Sequence, residues 1–108
     1  MRGFIATLVV LLVLTGCEQN TCPTPGPSLI AFYATWCQSC QRDKPLLVEV
    51  AREFPVTEVN FDTQHDIAAR YHVQVLPTYL VFSEGREVMR TMNLHTALQA
   101  LHDFNQQQ

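Results

Sequence analysis

A chain of 108 residues, 47% hydrophobic and with a net charge of −3, has room for one compact domain and no more. Arg2 is the one basic residue among the first sixteen, and beyond them six Lys and Arg stand against ten Asp and Glu. No basic patch is visible, which argues against nucleic acid as a partner, and the acidic balance supports solubility without naming a substrate.

The first segment reads Met-Arg-Gly, then an apolar run over residues 4–14, then Thr15-Gly16-Cys17. A positive start followed by such a run has the form of a secretory signal. The run is shorter than the roughly 20 residues that cross a bilayer as a helix. Leu14-Thr15-Gly16-Cys17 resembles the lipobox of bacterial lipoproteins, which implies cleavage after residue 16 and acylation of Cys17. The plainer alternatives are an ordinary secretory signal or an uncleaved anchor. Several acyl chains, at about 0.8 kcal/mol per buried methylene, make such an attachment durable. Glu18, by resemblance to enterobacterial sorting, leans toward the outer membrane, and the choice of membrane stays open.

Residues 18–27 carry three prolines, a glycine and no large apolar side chain, so they read as a semi-rigid spacer. The chain divides into a signal peptide (1–16), a lipidated Cys17 with a Pro-rich tether (17–27) and a folded domain (28–108). The domain is expected to face the periplasm or extracytoplasmic space of a bacterial envelope.

Residues 29–34 form a nearly continuous apolar run, the mark of a strand covered on both faces. From Cys40 to about Phe54 the apolar positions Leu46, Leu47, Val50 and Phe54 keep helical spacing. Residues 56–62 alternate, with Val59 and Phe61 on one face and Glu58 and Asn60 on the other. A short helix over 64–71, a strand over 78–82, a turn at Ser83-Glu84-Gly85 and a partner strand over 86–92 follow. A helix over 96–104 closes the chain with Leu98, Leu101 and Phe104 inward. The order β-α-β-α-β-β-α predicts an α/β fold. Its opening strand–helix–strand unit gives a parallel pair and its late hairpin adds antiparallel strands, in a mixed four-stranded sheet with helices on both faces.

Of four cysteines, Cys37 and Cys40 stand three apart where a strand gives way to a helix. Such a pair closes a small disulfide without straining the fold. Free N–H groups and the positive end of the helix dipole favour a thiolate at Cys37, below the free value of about 8.5. Cys37 is then the nucleophile on a substrate disulfide, and Cys40, one turn inward, resolves the mixed disulfide. The competing readings are half of a zinc site, a structural pair, and a copper carrier that adds Cys22. Zinc takes four ligands, and His65, His72, His95 and His102 show no ligand spacing, so no metal and no cofactor is assigned. Cys22 is left over: it is free, pairs between molecules or joins a partner in a mixed disulfide.

Phe32-Tyr33-Ala34-Thr35-Trp36-Cys37-Gln38-Ser39-Cys40, Pro45, Asn60-Phe61-Asp62, the run from Ala68 to Thr78, Val81-Phe82 and Gly85 together resemble the thioredoxin family, over nearly all of residues 28–108. The resemblance implies a minimal thioredoxin-like fold and protein-disulfide oxidoreductase activity through Cys37 and Cys40. It implies a cis Leu76–Pro77 bond facing the cysteines, where a trans proline opening a strand is the alternative. Trp36, Val75, Leu76 and Pro77 are the implied substrate-binding residues, with Trp36 as an apolar lid rather than a core tryptophan.

The sequence departs from the family at several points. Ala31 stands where the family has a buried Asp that handles the proton of the second cysteine. Glu58 is the candidate replacement, as a buried carboxyl raised by desolvation; a strand-end Glu reaching solvent is the other reading. Val75 and Asn93 stand where Gly is common, and Gln38-Ser39 replaces Gly-Pro, so the direction of electron flow is not inherited. A reducing role is favoured. Expected partners are exported Cys-containing proteins and a membrane electron donor, with the chain a monomer. Metal delivery and a tethered interaction module are the competing functions.

Overall fold

A computed structural model of the chain describes residues 26–107. The expected signal, Cys17, Cys22 and nearly all of the tether lie outside the described residues. In chain order the elements are β1 (Pro27–Tyr33), α1 (Gln38–Glu53), β2 (Val56–Asn60), α2 (His65–Arg70), β3 (Thr78–Ser83), β4 (Arg86–Thr91) and α3 (Leu94–Asn105). The sheet runs β2-β1-β3-β4, with β1 parallel to β2 and antiparallel to β3, and β3 antiparallel to β4. This is the expected mixed sheet in the expected element order.

The apolar run of β1 is explained by two cores. Side chains alternate across a strand, so Leu29 and Ala31 face one side, with Leu47 and Val50 of α1, Phe54 just past its end, and Leu94, Ala97, Ala100 and Leu101 of α3. Phe32 faces the other, with Val59, Ala68 of α2, Val73 and Leu80. Helices therefore cover both faces, and β1 and β3 each contribute to both cores.

Two boundaries move for identifiable reasons. α1 begins at Gln38 rather than Cys40 because Cys37 is its N-cap, accepting from the Cys40 N–H. α3 begins at Leu94 because Asn93 caps it, its side chain accepting from the N–H groups of His95 and Thr96, the kind of bond an Asn cap supplies. The β3–β4 hairpin turns through Glu84 and Gly85, both at positive φ (54° and 81°). That pair of left-handed residues matches the strand twist, and Gly85 adopts it without a Cβ penalty.

Candidate active site

The end of β1 delivers the cysteines. Ala34 carbonyl accepts from the Cys37 N–H at 3.2 Å and from Gln41 Nε2 at 3.3 Å, which closes the turn into α1. Cys37 and Cys40 form a disulfide with Cα atoms 5.3 Å apart. Both are buried, at 8% and 5% exposure, against Ala34 with Tyr33, Phe61 and Leu76 around them. The Cys40 N–H donates to Cys37 Sγ at 3.3 Å, and no acidic side chain occupies the first turn. Charge developing on Cys37 therefore meets a helix N-terminus with nothing acidic in that turn to oppose it.

A second segment comes in opposite. After α2 the chain turns at His72 (φ 59°), and Arg90 of β4 fixes that turn, donating to Tyr71 O at 2.7 Å and His72 O at 3.2 Å. The chain then runs through Val75 to a cis Leu76–Pro77 bond. The Thr78 hydroxyl donates to the Val75 carbonyl at 2.6 Å, and Leu76 packs against the cysteine cluster. Val75 is exposed, Leu76 half-buried and Pro77 buried. Of these three residues, Leu76 is the one packed against the disulfide, and Val75 and Pro77 flank it in the chain.

Trp36 is 63% exposed and its indole N–H donates to Asp62 Oδ2 at 2.8 Å. It stands at the rim as a flanking group and not in the core. The loop that carries Asp62 is itself organised by Asn60, whose Oδ1 accepts from the N–H groups of Asp62 and Thr63.

Glu58 corrects the expectation of a buried carboxyl. It pairs in register with Ala31 yet is exposed, beside Lys44, Leu47, Val48 and Ala51 of α1. The reason is topological: β2 is an edge strand, so a long side chain there reaches past α1 into water. The desolvation on which the proton-handling role rested is absent.

The polar group found on that face is one the sequence reading passed over. Tyr79, in register with Ala31 on the other side, is only 2% exposed, and its hydroxyl donates to Asp43 Oδ2 at 2.7 Å. Burial first, then the Asp43 carboxylate, push the Tyr79 phenol well above its ordinary range. A tyrosine within an apolar strand was the available signal, because a buried hydroxyl needs a partner. Asp43 also lines a groove of about 470 Å³ that includes Ser39, Leu76, Pro77, Met92 and Asn93. Among the described residues no three His, Cys, Asp or Glu side chains gather to hold a metal ion.

Comparison with known proteins agrees with this geometry. The sequence profile of the thioredoxin family, described as Thioredoxin, matches residues 18–106. A thioredoxin-like protein of Synechocystis is 35% identical over 85 residues, 75% of this chain and 81% of that protein. A thioredoxin of Pseudomonas aeruginosa is 35% identical over 72 residues, 63% of this chain and 67% of its own. Among solved structures, Fasciola hepatica thioredoxin superposes with a TM-score of 0.69 at 23% identity, covering 93% of each chain, a likeness of fold. The chain belongs to the thioredoxin family. Its site is that of a thioredoxin-like thiol–disulfide oxidoreductase, with the redox disulfide between Cys37 and Cys40.

Proposed function

We propose that this protein exchanges disulfides on exported proteins, or relays electrons to them from a membrane donor, and that it works in the reducing direction. The observation that carries the reading is the meeting of the Cys37–Cys40 disulfide with the Leu76–Pro77 segment. An extended substrate strand has backbone to pair with there. In the reducing half-reaction the Cys37 thiolate attacks one sulfur of the substrate disulfide. That S–S bond breaks and the departing sulfur takes a proton from water. Cys40 then gives up its proton to water and attacks Cys37 Sγ. The bond to the substrate breaks, and the second substrate sulfur leaves as a thiolate that takes a proton from water. Two electrons pass to the substrate, and the Cys37–Cys40 disulfide remains.

The sequence Leu14-Thr15-Gly16-Cys17 supports attachment to a bacterial envelope membrane through acylated Cys17, with residues 18–27 holding the domain off the surface. Exported Cys-containing proteins and a membrane reductant are the partners of that arrangement, and the domain acts as a monomer. Val75, Leu76, Pro77 and Trp36 contact the substrate in this reading.

The test has two arms. Equilibrating the full-length protein with a thiol buffer gives the potential of the Cys37–Cys40 couple. A value near about −270 mV supports a reductant, and one near about −120 mV makes it an oxidant instead. Feeding cells labelled fatty acid shows whether label enters the wild type and is lost in Cys17→Ser. Label absent from both removes the anchor.

A further inference from the structure

The groove beside Pro77 contains a carboxylate that the disulfide chemistry does not use. Asp43 is half-buried on α1, one turn after Cys40, and Oδ2 is held by the Tyr79 hydroxyl at 2.7 Å. Tyr79 is fully packed, and its phenol stays protonated well above the usual tyrosine range because of burial and the carboxylate beside it. The donor is therefore fixed, and the carboxylate keeps one orientation. Among the described residues Asp43 forms no ion pair, so the Tyr79 hydroxyl is its partner and no cationic side chain neutralises it.

The same groove is lined by Ser39 between the cysteines and by Leu76 and Pro77, so a chain reacting at Cys37 passes over it. Two other ionisable groups, Arg42 and His95, line it as well. Both are exposed, and the Arg42 guanidinium is engaged with Ser39 Oγ at 2.9 Å. Asp43 is the charged group of the groove that is anchored to the core, and an anchored, partly desolvated charge discriminates better than a mobile one on a rim.

We infer that Asp43, positioned by Tyr79, is a specificity determinant that selects disulfide substrates carrying a Lys or Arg within a few residues of the reacting cysteine. This rests on the disulfide-exchange reading above and adds the substrate class.

The test uses the reduced full-length protein and three synthetic cyclic peptide disulfides, identical except for Lys, Gln or Glu two residues from one cysteine. Acid-quenched samples give the second-order rate constant for each. The wild type is expected to reduce the Lys peptide about fivefold faster than the Gln peptide, and the Glu peptide slowest. In Asp43→Asn the Lys-to-Gln ratio falls to near one, and in Tyr79→Phe it takes an intermediate value. Because the readout is a ratio, a general loss of stability or rate in a variant does not move it. Equal rates on all three peptides by the wild type, or a ratio that survives Asp43→Asn, overturns the inference and leaves disulfide exchange standing. Failure of the wild type to reduce any of the peptides overturns both.

Discussion

Cys37 has two duties, since its sulfur caps α1 through the Cys40 N–H while also being the reacting atom. Serine caps a helix as well as any residue but does not exchange disulfides. Cys37→Ser is therefore expected to keep the thermal midpoint of the reduced wild type, with disulfide reduction falling to the background of the reductant alone. Activity retained in that variant contradicts the assignment. Glu58 carries the opposite expectation. Because it is exposed on an edge strand, Glu58→Gln should leave the pH profile of Cys40 alkylation unchanged, and a displaced profile would restore it as a proton-handling group. Tyr79 gives a stability prediction. Its phenol is raised in the folded protein, so above about pH 10 the unfolded chain ionises there while the folded one does not. The unfolded state then binds fewer protons, and stability falls as pH rises, toward about 1.4 kcal/mol per pH unit from this group. Denaturant titrations between neutral and alkaline pH should show this decline in the wild type and a shallower one in Tyr79→Phe.

At the scale of elements, what was legible depended on whether one strand or helix carried its own signal. The unbroken apolar run of β1, the spacing of Leu46, Leu47 and Val50 in α1, and the turn at Glu84-Gly85 identified those elements directly. The first turns of α1 and α3 were not read because their caps are Cys37 and Asn93, residues singled out for chemistry and for groove shape. Asn93→Ala should cost about 1 kcal/mol in equilibrium unfolding, and no change would show that the cap bonds to His95 and Thr96 contribute nothing. The Cys-x-x-Cys pair was visible in sequence because both residues lie within one turn. Asp43 and Tyr79 are 36 residues apart, and only the sheet register that sets Tyr79 beside Ala31 brings them together. Glu58 failed as a buried group for a related reason, since the position of β2 at the sheet edge is a property of strand order and not of its own alternation.

For the whole molecule, β1 contributes to both cores, as β3 does, and it ends at the active-site turn, so packing and function meet along this strand. Phe32, fully buried in the core that also contacts Leu76, is the side chain whose loss should be felt most widely. Phe32→Ala is expected to cost about 3–5 kcal/mol, read from the denaturant midpoint, and a loss under about 1 kcal/mol would mean that the second core relaxes around it. Among the described residues no helix is long and apolar enough to cross a membrane. The proposed envelope attachment therefore rests on residues 1–17 of the sequence.

The most direct test of Cys37 as nucleophile and Cys40 as resolving thiol is the trapping of a mixed disulfide. Cys40→Ser, reduced and mixed with a disulfide-containing protein substrate, should accumulate a covalent adduct, and peptide mass mapping should place the substrate sulfur on Cys37. An adduct located at Cys22, or no adduct while Cys40→Ser still turns over substrate, would contradict the assignment of the two cysteines.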